Sequence, residues 1–222
     1  MDKSTADSAS FHGGPRTPGT LQRSGRTLTP ASLPEAEEQI LASWRAGQSL
    51  YLERRQVADE ASTLSLAGLD RILNLSVEDA VAVVEAGVPV QALREAAAAK
   101  GLWCPPLRHL PPDGLIGAVV AGGHGWRSRG HAGVGDYLLG SRFICPSVGL
   151  VRHGGTAIKN ATGYNLSGLL VGSRGSLGII LSLNLRLVPL PRECTTRSFR
   201  VPVADAASLA ALLAGTTTPL PP

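Results

Sequence analysis

Lys159–Pro191 reads KNATGYNLSGLLVGSRGSLGIILSLNLRLVPLP, and its reading decides the fold. Gly163, Gly172, Gly175 and Gly178 admit backbone geometry that a side chain would block, and they suit main chain laid close to a flat or phosphorylated ligand. Directly after them Leu181, Leu183, Leu185 and Leu187 alternate with Ser182, Asn184, Arg186 and Val188, the period of a strand with one buried face. A glycine turn feeding a core strand is either the seat of a cofactor or a turn required only for packing.

Working outward, the upstream chain alternates strand and helix signals. Ser32-Leu33-Pro34-Glu35 predicts a helix start, with a capping serine, proline near the first turn and acids at the positive end of the helix dipole. Ile40, Leu41 and Trp44 supply its buried face, and Gly47 stops it. Short strands are predicted at 49–52, 63–66, 71–75 and 80–86 from their Val, Leu and Ile content between turn residues. Pro89 opens an alanine-rich helix that runs to Lys100 and is closed by Gly101. Gly and Pro dominate from Pro105 to Gly135, leaving room for one short helix at 115–121. A strand from Tyr137 to Cys145 meets Leu150–His153 through a Pro146–Gly149 turn. This alternation predicts an α+β or α/β domain. Thr196–Val203 reads as a strand and Ala204–Ala214 as a helix, the beginning of a second unit that these residues alone do not close.

Composition narrows the function. The chain of 222 residues is 43% hydrophobic, ample for one good-sized core, and only 4% aromatic, so aliphatic residues fill that core. A net charge of +4, carried mainly by scattered arginines, is not the clustered basic surface of a nucleic-acid groove. Cys104, Cys145 and Cys194 are far apart and form no CxxC pair, which argues against a disulfide framework or a cysteine metal site and for a reducing compartment. The histidines at 12, 109, 124, 131 and 153 show neither HxxxH nor HExxH spacing and read as surface or loop residues. No apolar run has the length of a membrane span, and residues 1–29, rich in Ser, Thr, Gly, Pro and Arg, read as a disordered leader without a signal-peptide core.

No GxGxxG and no GxxxxGK[ST] is present, so neither a Rossmann turn nor a P-loop explains the glycines. Lys159-Asn160-x-Thr162-Gly163-Tyr164-Asn165-Leu166, followed by Gly172-Ser173-x-Gly175-Ser176-Leu177-Gly178-Ile179, resembles the C-terminal half of the FAD-binding domain of FAD-linked oxidases. The likeness extends to Leu69–Ile72, Val84–Pro89 and the hairpin from Asp136 to Gly155, and is strongest to the FAD-binding accessory subunits of bacterial glycolate oxidases (glycolate dehydrogenases).

That resemblance implies a two-lobed α+β FAD-binding domain of the PCMH type (vanillyl-alcohol-oxidase-like) over residues 30–191, with 192–222 as the truncated start of an α+β cap domain. It implies FAD as cofactor, with main-chain contacts from several glycine loops. Ile116, Gly117, Ala121, Gly122 and Gly123 correspond to the middle loop, and Gly135, Asp136 and Leu138 to the next contact region. Lys159, Asn160, Thr162, Gly163 and Tyr164 correspond to the ring-edge motif, and Gly175, Leu177, Gly178 and Ile179 to the turn that meets the adenine end. A tight turn without ligand explains each segment taken singly.

Two departures stand out. Where the family carries a PRGGG-type pyrophosphate loop, residues 52–61 (LERRQVADEA) contain no glycine, and Glu53, Asp59 and Glu60 repel an anion while Arg54 and Arg55 attract one. Arg174 replaces a Glu common in catalytic relatives, and Asn165 an Asp. The resemblance further implies a FAD-dependent oxidoreductase subunit that oxidises a 2-hydroxy acid, partnered by a catalytic FAD-linked oxidase subunit and an iron–sulfur subunit. A cytoplasmic location follows, with membrane association only through those partners. The residues that bind metal and hydroxy acid in catalytic relatives lie beyond the FAD domain, so no catalytic residue is assigned. The alternative is a flavin-free, degenerate member kept as a structural or interaction subunit.

Overall fold

The computed structural model describes residues 27–48, 50–52, 62–125, 131–155 and 165–193. Contacts divide the chain after Leu190, and Pro191, Arg192 and Glu193 are the described residues of the second unit. The strand and helix predicted at 196–214, the loop at 53–61, the motif at 159–164 and the leader up to residue 26 lie outside the described residues.

Strand β1 (Thr27–Leu28) leads into helix α1 (Leu33–Arg45), which returns the chain to β2 (Leu50–Leu52) and β3 (Ser62–Leu64). The three strands form a parallel sheet in the order β1-β3-β2. Helix α1 starts where the sequence predicts: the Ser32 hydroxyl accepts the Glu35 N–H at 3.4 Å, and the Glu35 carboxylate accepts the Ala31 N–H at 2.9 Å. Ala36, Ile40 and Ser43 are its buried residues, while Leu41 and Trp44 are half-buried against the same core. Gly47 leaves the helix at φ +71°, a left-handed turn that favours glycine.

The chain continues through β4 (Ile72–Ser76) and β5 (Val81–Glu85), then α2 (Val90–Ala98), β6 (Leu102–Trp103), a 3-10 turn at Pro105–Leu107 and α3 (Ile116–Gly122). It returns through α4 (Val134–Tyr137), β7 (Leu138–Cys145), β8 (Gly149–Gly154), α5 (Leu166–Leu170), β9 (Ile179–Arg186) and β10 (Val188–Pro189). Five of these strands form an antiparallel sheet in the order β4-β5-β9-β7-β8, and β10 pairs with β6. Tyr137, predicted to open a strand, instead ends α4, and the strand begins one residue later.

Strand β9 corrects the expectation of a single buried face. Ile180 and Ser182 are buried as well as the odd-numbered leucines, because β9 is the central strand and both of its faces are covered. Ile179 and Leu181 join Ile144 in a core with Leu28, Ala36, Ile40 and Leu64 of the parallel lobe. Ile180, Leu183 and Leu185 belong to the larger core with Val84, Leu93, Ile116 and Val120. Among the described residues the parallel lobe therefore has no separate core: burying its apolar side chains requires the antiparallel sheet, and the two lobes are held against each other by the same strand.

Candidate functional site

A cavity of about 360 Å³ opens where three backbone segments cross. One is the loop after β3, which contributes Leu64, Ser65 and Leu66; the second is Ala86, just past β5; the third is α3 with Leu115, Gly117, Ala118 and Ala121. Leu52, Asp113, Gly178 and Ile180 complete the walls.

Close packing at this crossing follows from residue size. The Gly117 N–H donates to the Ala86 carbonyl at 2.8 Å, and a Cβ on Gly117 would stand 2.7 Å from the Ala86 Cβ. Next along the chain, the Gly87 N–H donates to the Leu69 carbonyl at 2.8 Å, and a Cβ there would stand 1.9 Å from the Leu66 carbonyl oxygen. Glycine is required at both positions for backbones to approach this closely. A buried carboxylate secures the β5 side: Glu85 Oε1 accepts from Arg71 Nη2 at 2.8 Å, while its Oε2 accepts the Arg71 backbone N–H at 2.9 Å and Nε at 3.2 Å. The Glu85 hydrogen bond and charge hold the Arg71 guanidinium above its ordinary pKa.

The C-terminal end of α3 is built on the glycine turn quoted at the outset. Gly123 caps the helix in a left-handed conformation, and a Cβ on it would stand 3.2 Å from the Gly172 Cα. The Gly172 N–H donates to the Val120 carbonyl at 3.1 Å and the Arg174 N–H to the Ala121 carbonyl at 2.7 Å. Gly175 brings the same turn to Leu52, whose Cδ1 lies 3.2 Å from where a Gly175 Cβ would be. Thus the 172–175 turn satisfies helix-end carbonyls and reaches the end of β2 together.

Of the predicted site residues, the structure brings Gly117, Ala121 and Gly178 to the cavity. Ile116 is buried in the larger core, behind the cavity wall. Gly122 and Gly123 form the end of α3, where His124 and Gly172 crowd them. Leu138 and Ile179 are core residues, Gly135 packs beside Val171, and Asp136 on α4 and Leu177 are exposed. Lys159, Asn160, Thr162, Gly163 and Tyr164 lie outside the described residues. Ser65, Leu66, Ala86, Asp113 and Ile180 were not predicted for the site, because apolar or single polar residues on separated segments carry no chemical signature until the fold assembles them.

One histidine departs from the expectation of surface or loop residues: His153 is half-buried in strand β8, whereas His131 lies ahead of α4, outside the helices and strands. His131 Nδ1 lies 3.1 Å from the Tyr137 hydroxyl, and its ring meets Trp103 edge-on. The half-buried His153 accepts the Ser167 N–H at 3.3 Å and lies 3.0 Å from the Ser167 hydroxyl, which in turn lies 2.9 Å from that of Ser141. His131 ties the segment ahead of α4 to Tyr137 and to Trp103 of β6, and His153 ties α5 to strand β8. Among the described residues there is no cluster of three metal-ligating side chains and no helix long and apolar enough to cross a membrane.

The cavity has the chemistry of a seat for a flat ring system. Its walls are aliphatic or bare backbone, and Ala118 and Ala121 present only methyl groups along α3. Among the described residues Asp113 is the one ionisable residue in the lining, and it accepts hydrogen bonds from N–H or O–H groups, not from phosphate. The described walls therefore fit the ring portions of FAD, in line with a cofactor site of small, mostly apolar character.

A family model described as FAD binding domain matches residues 35–155. The chain is 31% identical over 130 residues to a D-lactate dehydrogenase of Anaerostipes hadrus, a match covering 59% of this chain and 27% of that protein. It is 31% identical over 140 residues to glycolate oxidase subunit GlcE of Escherichia coli, covering 62% of this chain and 40% of the relative. The chain thus spans less than half the length of these curated relatives. Among solved structures, an alkyldihydroxyacetonephosphate synthase superposes with a TM-score of 0.63 at 18% identity, over 75% of this chain and 32% of that one.

Proposed function

We propose, from the premise that this chain belongs to the FAD-linked oxidase family through its FAD binding domain, that it is the flavin-holding part of an oxidoreductase that converts a small 2-hydroxy acid to a 2-oxo acid. The observation that carries this reading is the cavity at the three-segment crossing, walled by Gly117, Ala118, Ala121 and Gly178. Bound FAD supplies the acceptor for the two electrons that leave the hydroxy acid. The chain's own residues bind and orient: the small residues of α3 let a ring lie against the helix, Leu66, Leu115 and Ile180 exclude water from its faces, and Asp113 accepts a hydrogen bond at its edge.

Glycolate oxidase matches include chains named as subunits, which supports a working complex here. The proposed partners are a catalytic FAD-linked oxidase subunit and an iron–sulfur subunit, in the cytoplasm. A second reading, a flavin-free structural subunit, is favoured by the glycine-free 52–61 segment and by the anionic Asp113 in the cavity wall.

Co-expression of the chain with its genomic neighbours separates the two. The first reading predicts a yellow complex whose visible flavin band bleaches anaerobically on addition of a 2-hydroxy acid. A folded but colourless chain, both alone and in the complex, would establish the second.

A further inference from the structure

Arg174 occupies an unusual place. It is one of two non-glycine residues with positive φ among the described residues, at +52°, in a turn where glycine is the unstrained choice. Its backbone is fixed between two cavity-wall residues: its N–H donates to the Ala121 carbonyl at 2.7 Å, and the adjoining Gly175 packs on Leu52. The residue is exposed, and no ion pair holds it among the described residues. The backbone of Arg174 therefore stands beside the cavity wall, next to the end of β2, and carries an exposed cationic side chain there at a cost in backbone strain. Among the described residues the cavity wall supplies no cation, and its one ionisable group is Asp113.

From this geometry we infer that Arg174 is a cofactor-binding residue that supplies positive charge to the diphosphate of FAD. The inference rests on the flavin reading above. It accounts for why a cation is kept in a strained turn position and how a chain without a glycine-rich phosphate loop meets the charge of the cofactor. A guanidinium is suited to the task because it presents several donors to phosphate oxygens and stays charged at every working pH.

The test is FAD affinity of the full chain, followed by quenching of flavin fluorescence, for the wild type, Arg174→Gly and Arg174→Lys, alongside melting of the FAD-free proteins. Arg174→Gly relieves the strained φ, so its melting temperature is expected to hold or to rise by up to about 3 °C. Its affinity for FAD is expected to fall at least about fivefold, and raising salt is expected to weaken its binding less than that of the wild type. Arg174→Lys keeps the charge but not the forked donors, and its affinity is expected to lie between those of the wild type and Arg174→Gly. Equal FAD affinity of Arg174→Gly and wild type, or an equal loss in Arg174→Lys, would overturn the inference while leaving the flavin reading intact. A wild-type chain that does not bind FAD overturns both.

Discussion

The α-carbon of Gly117 lies so close to Ala86 that a methyl group on it would stand 2.9 Å from the Ala86 carbonyl oxygen and 2.7 Å from the Ala86 Cβ. One of these contacts is to backbone, so helix α3 cannot accommodate a side chain by a rotamer change and must move off β5. Gly117→Val is predicted to cost about 1–3 kcal/mol of stability, as overpacking of a filled core does, and to open the cavity by displacing its α3 wall. Urea unfolding measures the first effect. A variant with the wild-type midpoint would show that the crossing is looser than described.

Ile40 has no exposed surface and lies in the core that joins α1 and Leu64 to Ile144, Ile179 and Leu181 of the antiparallel sheet. Ile40→Ala is predicted to cost about 2–5 kcal/mol. Because the parallel lobe borrows its core from β7 and β9, the loss should appear as a lower midpoint of one cooperative urea transition. Early unfolding of one lobe with the other unaffected would contradict the shared core.

Arg71 and Glu85 form an unequal pair, the arginine side chain 58% exposed and the glutamate fully buried. Removing the exposed partner strands a buried charge, whereas removing both charges does not. Arg71→Met is therefore predicted to melt below Arg71→Met/Glu85→Gln. The reverse order, measured by differential scanning calorimetry at neutral pH, would count against the carboxylate's role in securing β5.

Burial pushes the Cys104 thiol up to about 12 from an ordinary value of 9.0. A folded-state pKa above the unfolded one means that the neutral thiol contributes stability fully below about pH 9, and that this contribution is lost as pH rises through about 12. At pH 8 the native thiolate fraction is on the order of one in ten thousand. Iodoacetamide at pH 8 is thus predicted to modify Cys104 only under unfolding conditions. Rapid alkylation of the native protein at Cys104, located by peptide mapping, would contradict its burial.

Much of the fold was legible because punctuation in the sequence is local. Ser32, Gly47, Pro89 and Gly101 mark helix ends through capping and backbone freedom, properties of single residues that tertiary contacts did not override. The Leu181–Leu187 alternation gave a strand but hid its position, since a second covered face at Ile180 and Ser182 depends on a lobe formed far upstream. The site was legible only in part for the same reason. Gly117, Ala121 and Gly178 belong to recognisable glycine-rich segments, whereas Ser65, Leu66 and Ala86 reach the cavity through crossings of distant strands. Leu138 and Ile179 sit beside family motifs in sequence, but their side chains serve the core.

Ala118 offers the most direct test of the central claim, that the crossing of the β3 loop, β5 and α3 seats FAD. Its methyl group lines the cavity yet is exposed, so a larger side chain there fills the seat without entering the core. Titrating FAD into the full chain and following flavin fluorescence should give saturable, one-to-one quenching for the wild type, and at least a tenfold weaker response for Ala118→Phe at unchanged melting temperature. Wild-type and Ala118→Phe curves that coincide, or a wild-type chain that never saturates, would contradict it.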